Sequence, residues 1–288
     1  MEENKGMRKE LISGARIALI FALMLFFVSN VVKAAVKDGI DGNYVSAFTA
    51  VIVTVIIVLL HRKELPEGWF CASKEKMEPR AILSFLGVFA LYHLCNRLIS
   101  FGGTEGLPGN SWSFVLYMGI LIPVCEELVF RGVIMGKYFK YGKIFALIST
   151  AILFGAYHLN LIQLVSASLL GLLFCYVGMR YCIVWCILLH FFNNGLIVSI
   201  LSLLWKASGN SFLTTYGTII VCAIFTIVGL VAFLRSHLIR DIRQYFSDDE
   251  KARGPYKTVF LNGWFIVLML LCIGMTVMIF TIGPEMGL

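Results

Sequence analysis

Charged residues are scarce in this sequence. Only 14% of the 288 residues are Asp, Glu, Lys or Arg, whereas about 25% is usual in soluble domains. Hydrophobic residues make up 59% of the chain, and the mean hydropathy is +0.86. Such a chain lacks the polar residues that cover a water-soluble surface. The composition therefore predicts an all-α, polytopic integral membrane protein whose surroundings are a lipid bilayer.

Short motifs that indicate metal or nucleic-acid binding are also missing. The eight cysteines include no Cys-x-x-Cys pair, and most lie in apolar runs, where cysteine behaves as a small hydrophobe. No His-Glu-x-x-His motif is present, so the spacing does not point strongly to a zinc protease. The formal charge of +7 comes from loop residues, and we expect no nucleic-acid partner.

Apolar runs close to membrane-spanning length recur along the chain. A helix needs about 20 residues to cross the hydrocarbon core of a bilayer. Nine runs approach this length, but two of them nearly touch, so we expect about eight to nine transmembrane helices in a single domain over residues 1–288. The runs are residues 17–32, 44–60, 81–99, 112–136, 142–159, 161–179, 182–204, 214–234 and 260–282.

Basic residues are distributed unevenly between the two sides of these predicted spans. With nine spans and a cytoplasmic N-terminus, 20 of the 24 Lys and Arg residues fall on the cytoplasmic side. The four on the outer side are Lys33, Lys37, Arg97 and Lys206. Cytoplasmic loops of membrane proteins carry an excess of Lys and Arg. The distribution therefore predicts a cytoplasmic N-terminus.

The fourth apolar run contains a cluster of charged residues. A charged group at membrane depth is costly, so charged residues there usually serve a function. We therefore expect a functional role for Glu126, Glu127 and Arg131. In a helix, Glu127 and Arg131 lie one turn apart and can pair, whereas Glu126 is rotated by about 100° and faces elsewhere. A purely structural ion pair is the alternative interpretation. Pro123, just before the acids, is expected to kink the helix or to open its backbone near the site.

Two histidines lie inside other apolar runs. A single histidine in a membrane helix is usually a hydrogen-bonding group between helices. His190 and Asn194 are four residues apart and share a helix face, whereas Asn193 is expected to point elsewhere. Glu126 could act as a general base toward water, which His158 would help to hold. His190 and Asn194 could then donate hydrogen bonds to an oxyanion.

These residue types do not decide whether the site holds a metal cofactor. Glu126, His158 and His190 could instead bind a divalent metal such as zinc. His93 and Arg97 are interpreted as pairing groups near the surface and are left outside the site. The predicted depths present a difficulty, because His158 lies near the outer end of its span and Glu126 nearer the inner side of its own. If these depths differ in the folded protein, the site cannot form.

Three motifs in this region resemble a known family. Their patterns, EExxxR, FxxxH and HxxxN on successive helices, are those of the CAAX protease and bacteriocin-processing family of intramembrane endopeptidases. That family includes the type II enzymes that trim prenylated CAAX proteins. In this sequence the motifs stand as Glu126-Glu127…Arg131, Phe154…His158 and His190…Asn194, within a core of about residues 112–200.

The resemblance implies an intramembrane protease with a site that opens to the cytoplasmic side. Its substrate would be a peptide or a membrane protein, cleaved near the bilayer. By the same resemblance, Glu126 is the catalytic acid and base, and Glu127 and Arg131 form a supporting pair. His158 and His190 are site histidines, and Asn194 is the oxyanion donor. Whether catalysis depends on a metal or on the glutamate stays open.

Two functions of other classes remain open from the sequence. A non-catalytic bacteriocin self-immunity or scaffold protein could have the same fold, because intact motifs are necessary but not sufficient for catalysis. A transporter or channel could use intramembrane acids and histidines as a proton relay. Matching helix breaks in two halves of the chain would favour a transporter, but no second segment corresponds to the one around Pro123.

Overall fold

The structure is a computed structural model that describes residues 2–28, 30–32, 41–65, 76–99, 111–247, 249 and 255–281. Within these ranges the chain forms helices and no β-strand, which confirms the all-α prediction. The helices are α1 (Glu2–Leu23, continued by the π-helical Met24–Val28), α2 (Gly42–Leu60), α3 (Pro79–Ile99), α4 (Trp112–Phe139), α5 (Lys143–Ala156), α6 (Leu161–Arg180), α7 (Ile183–Ala207), α8 (Leu213–Leu234), α9 (Leu238–Ser247), α10 (Tyr256–Phe260) and α11 (Gly263–Thr281).

Each of the nine predicted apolar runs corresponds to one of these helices. In the described part of the chain, seven helices are long and apolar enough to cross a membrane, which confirms a polytopic fold. They are α1, α2, α4, α6, α7, α8 and α11. The other two runs form α3, which has 21 residues, and α5, which has 14. At 1.5 Å per residue, α5 rises only about 21 Å, less than the ~30 Å of a hydrocarbon core.

Loops that were predicted to share the cytoplasmic side meet at one end of the helices. We call this the basic end, defined by Glu10, Glu64, Lys137, Lys140 and Lys143. Five contacts hold it together: Lys140 Nζ to Glu10 Oε1 (2.6 Å), Lys137 Nζ to Glu64 Oε1 (2.9 Å), Arg80 Nη1 to the Arg235 carbonyl (3.1 Å), Lys143 Nζ to the Tyr245 carbonyl (3.0 Å) and the Ile144 amide to Asp249 Oδ2 (2.7 Å). The helices therefore alternate in direction as the span assignment requires.

The short helix α5 places a turn in the interior of the protein. It begins at Lys143, at the basic end, and the chain turns over residues 157–160 before α6. Leu159 has a φ of 54° and is the one non-glycine residue with positive φ among those described. Asn160 then caps α6, because its Oδ1 accepts hydrogen bonds from the amides of Ile162 and Gln163 at 2.8 and 3.1 Å.

This turn removes the difficulty with the predicted depths. Glu126 lies eleven residues from Lys137 of the basic end along α4, a rise of about 16 Å. His158 follows the end of α5, about 21 Å from the basic end. The two distances differ by only about one helical turn. The Tyr157 hydroxyl, next to His158 in the sequence, donates to Glu126 Oε1, so His158 and Glu126 lie at similar depths.

Helices α3 and α8 approach each other closely at a pair of glycines. A Cβ atom at Gly87 would lie 2.6 Å from the Cα of Gly229 and 3.1 Å from the Phe225 carbonyl oxygen. Carbon atoms in van der Waals contact are normally about 3.5–4.0 Å apart. Small residues allow such an approach between membrane helices. The crossing fixes the position of α3 against α8.

We expect Gly87→Ala to lower the free energy of unfolding by ~1–3 kcal/mol, because the new methyl group would overpack this crossing. Thermal unfolding in detergent, followed by helical circular dichroism, measures the effect. Gly274→Ala on α11 is the matched control, since a Cβ there meets no atom within 4 Å. An equal or higher unfolding temperature for Gly87→Ala than for Gly274→Ala would contradict the packing argument.

Candidate functional site

A cavity of about 520 Å³ lies between α1, α3, α4, α6, α7 and the turn after α5. Its size falls within the ~300–1,000 Å³ usual for ligand pockets. Glu126, His158, His190 and Asn194 all contribute to its wall. The structure therefore brings together four of the six predicted site residues. Glu127 and Arg131 are not part of the wall and are fully buried beside it.

Glu127 joins Arg131 to His190 through one oxygen atom. Arg131 Nη1 donates to Glu127 Oε1 at 3.0 Å, which confirms the predicted pairing. His190 Nδ1 donates to the same oxygen at 2.7 Å. A carboxylate only accepts hydrogen bonds, so the proton of a neutral His190 is on Nδ1. Glu127 thus sets both the orientation and the tautomer of His190.

Aromatic rings enclose the Arg131 guanidinium. Its central carbon lies 4.2 Å from the ring centroid of Phe154 and 5.0 Å from that of Phe174. Such cation–π contacts are stronger when the cation is desolvated. Arg131 Nη2 also donates to the Gly171 carbonyl at 3.4 Å. Arg131 therefore ties α4 to α5 and α6, and Phe154 of the FxxxH motif gains a structural role.

Glu126 faces the cavity and is only 2% exposed. Its Oε1 accepts a hydrogen bond from the Tyr157 hydroxyl. Its Oε2 has no hydrogen-bond partner in the protein and lies 3.5 Å from His190 Nε2. The two acids thus have different hydrogen-bond partners, as predicted, although both approach His190, Glu127 at Nδ1 and Glu126 at Nε2. Sequence reasoning missed Tyr157, because a tyrosine in an apolar run has no distinctive pattern.

His158 shares the cavity wall with Glu126. Its Nδ1 donates to the Phe154 carbonyl at 2.8 Å. Because a carbonyl only accepts, Nδ1 carries the proton and Nε2 of the neutral ring is an acceptor. The ring also packs edge-on against Phe154, with centroids 5.2 Å apart. The FxxxH spacing therefore places one residue that both orients His158 and packs on Arg131.

The prediction that Asn193 points away from the site is wrong. Asn193 and Asn194 both belong to the cavity wall. Residues Phe192–Ile200 form a π-helical stretch of α7, in which the hydrogen bonds span five residues rather than four. Each residue then turns less about the helix axis than in an α-helix, and neighbouring side chains can reach the same wall.

His93 also belongs to the site, which corrects its interpretation as a near-surface pairing group. It lines the cavity, and its Nε2 lies 3.0 Å from Asn193 Oδ1. Asn193 Nδ2 in turn donates to Asn194 Oδ1 at 2.7 Å. The side chain of Arg97, which was grouped with His93, lies outside the described residues. Because His93 and Asn193 are 100 residues apart in the sequence, no sequence pattern could have revealed their contact.

Helix α4 is continuous through Pro123 and is π-helical on both sides of it, over Val115–Leu121 and Leu128–Ile134. Proline has no amide hydrogen, so one carbonyl of the preceding helical turn loses its partner. Gly119 packs on α7, where a Cβ at this position would lie 2.8 Å from the Gly195 Cα. The contact brings the helix of Glu126 against the residue that follows Asn194.

The donor set leaves the metal question open. No group of three or more His, Cys, Asp and Glu side chains within the described ranges is already arranged to hold a metal ion. His158 and His190 each use Nδ1 in a hydrogen bond to the protein, which leaves Nε2 of both rings available, as in histidines that bind zinc. Glu126, His158 and His190 are therefore the residues that would hold a divalent metal, and we derive no step through it.

We expect Arg131→Ala to lower the free energy of unfolding by ~3–5 kcal/mol, because it leaves the buried Glu127 carboxylate without its cation. The folded yield in detergent and the unfolding temperature measure this loss. Arg240→Ala is the control: Arg240 is 70% exposed and lies 3.8 Å from Asp241, and such surface pairs contribute little. If both variants were as stable as the unaltered protein, the buried pair would not hold the site together.

Comparisons with known proteins agree with the motifs. No curated protein and no solved structure matches the chain. Residues 108–196 match the model of the family described as Type II CAAX prenyl endopeptidase Rce1-like, which confirms the resemblance over this segment. The segment contains all six predicted site residues. The match covers 89 of the 288 residues, and it shows that the segment with the three motifs is similar to this family.

Proposed function

We propose that this protein is a membrane-embedded endopeptidase that hydrolyses peptide bonds near or within the bilayer with a water activated by Glu126. One observation carries the proposal. Glu126 lines the cavity together with His158, His190 and Asn194, and its buried Oε2 has no hydrogen-bond partner in the protein. We further propose that residues 1–288 form one protease domain with a cytoplasmic N-terminus.

The first step is removal of a proton from water by Glu126. The Tyr157 hydroxyl occupies Oε1, so Oε2 is the oxygen that accepts this proton. His158 Nε2 accepts the second hydrogen bond of the same water and holds it in place. The water oxygen then adds to the carbonyl carbon of the scissile peptide bond. The proton passes from Glu126 to the leaving amine, directly or through His158.

The developing oxyanion needs hydrogen-bond donors that are already in place. Asn194 Oδ1 is engaged by Asn193 Nδ2, so the Nδ2 group of Asn194 is the part that donates. His93 Nε2 donates to Asn193 Oδ1 and so fixes the donor-to-acceptor direction of the hydrogen bonds from His93 through Asn193 to Asn194. His93 and Asn193 therefore act as positioning residues. In the tautomer that Glu127 fixes, Nε2 of His190 is an acceptor, and it becomes a second oxyanion donor only when this nitrogen also carries a proton.

The non-catalytic alternative uses the same fold and differs only in what Glu126 does. In an immunity or scaffold protein, the cavity would serve binding, and the carboxylate would be dispensable for it. In the protease, the carboxylate is the base. Substituting this one side chain therefore distinguishes the two functions.

Glu126→Gln is expected to abolish cleavage, because an amide cannot take a proton from water, while membrane insertion is kept. The measurement maps peptide termini by mass spectrometry in membranes and medium of cells with the unaltered protein or the variant, at equal protein levels. Glu78→Gln, at an exposed position outside the cavity, is the matched control. Termini that vanish in Glu126→Gln alone establish proteolysis and identify the substrate. Identical termini in the unaltered protein and both variants would show that Glu126 is not the base.

Asn194→Ala is expected to slow turnover by ~10²–10³-fold if its amide is the main oxyanion donor. Binding of the substrate should change little, because the oxyanion exists only in the transition state. The rate at which the termini that depend on Glu126 appear, compared at several substrate levels, separates kcat from KM. An unchanged rate would move the donor role to His190 or to a backbone amide.

A further inference from the structure

The cavity lies in the half of the protein that is far from the basic end. Glu126 is eleven residues from Lys137, and Asn194 is eleven residues from the start of α7, a rise of about 16 Å in each case. The wall continues outward along α6 to Gln163, which is 17 residues from Arg180, about 25 Å away. Glu126 and Asn194 therefore mark the deep part of the cavity, and its remaining volume extends away from the basic residues.

Aromatic contacts close the cavity toward the basic end. Phe89 of α3 stacks on Phe174 of α6 with ring centroids 5.0 Å apart, and Phe174 stacks on His190 at 4.7 Å. One turn nearer the basic end, Phe85 packs against Tyr176 at 6.3 Å. Helices α3 and α6 are thus in contact in this half and separated by the cavity in the other.

Two expectations from the sequence conflict in this structure. The distribution of Lys and Arg places the basic end in the cytoplasm. The family resemblance implies a site that opens to the cytoplasmic side. The cavity lies beyond the aromatic contacts as seen from the basic end, so both expectations cannot hold.

The charge distribution is the stronger guide to sidedness. It rests on 19 of the 23 basic residues that remain when the buried Arg131 is left out, and the predicted cytoplasmic loops do meet at one end. We infer that the cavity faces the extracytoplasmic side and takes a peptide segment that arrives from that side. Its substrate is then an exported or membrane-anchored peptide, not the tail of a cytoplasmic protein. The sidedness stands by itself, whereas the cleavage rests on the proposed function.

The outer part of the wall indicates the chemistry of this segment. Leu25, Phe26, Met118 and Val198 supply apolar surface, and Gln163 and Ser166 add uncharged polar groups. Among the described lining residues, the only acid is Glu126, and no Lys or Arg is present. A lining of apolar and uncharged polar groups fits an uncharged segment. A strongly charged segment would lose its hydration without gaining a partner.

Cysteine labelling tests the sidedness without relying on catalysis. Cys95 is exposed and Cys71 lies outside the described residues, so both are first replaced by serine. Gln163→Cys then marks the cavity wall, and Lys140→Cys, at a position 57% exposed, marks the basic end. A membrane-impermeant maleimide is applied to intact cells and to inside-out vesicles.

We expect Gln163→Cys to react in intact cells, and Lys140→Cys to react only in inside-out vesicles. Reaction of Lys140→Cys in intact cells would overturn the inference, as would reaction of Gln163→Cys only in inside-out vesicles. The termini that depend on Glu126 test the substrate class separately. They should belong to exported peptides or to outward-facing parts of membrane proteins, and cytoplasmic proteins among them would overturn it. If no such termini exist, the proposed protease function fails while the labelling still decides the sidedness.

Discussion

The site depends on one buried oxygen atom, Oε1 of Glu127. It accepts hydrogen bonds from Arg131 and His190 at 3.0 and 2.7 Å, with no exposure to solvent at the carboxylate or the guanidinium. A charge in such surroundings is tolerated only when it is paired and hydrogen-bonded. Because Arg131 also contacts α5 and α6, and His190 belongs to α7, this carboxylate fixes four helices against each other. The position of Glu126 at the cavity follows from that arrangement.

A second constraint is the early end of α5, which leaves a non-helical turn at membrane depth. Backbone groups there need partners inside the protein, since lipid offers none. Helix α11 supplies two of them: Thr276 Oγ1 accepts from the Leu161 amide at 2.9 Å, and Cys272 Sγ donates to the Ala156 carbonyl at 3.0 Å. Asn160 caps the next helix. With these bonds made, the turn can hold His158 at the depth of Glu126.

What the sequence could predict was limited to effects that act within one helix. Apolar runs locate spans because the cost of burying polar groups is local, and the four-residue spacing of Glu127 and Arg131 suffices to predict their pair. The roles of His93 and Tyr157 could not be predicted from the sequence, because they come from contacts between helices. Asn193 was misplaced because the π-helical form of α7 depends on packing rather than on residue type.

The chemistry of a membrane site and its sidedness have different physical origins. The bonds among Glu126, Glu127 and the histidines are internal to the protein and would be the same if the whole molecule were inverted in the bilayer. Orientation is decided instead by loop charges interacting with the membrane and its insertion machinery. Motifs therefore indicate a type of reaction but not the compartment in which it occurs. For this chain, we infer the compartment from the basic residues, which lie at the end of the protein far from the cavity.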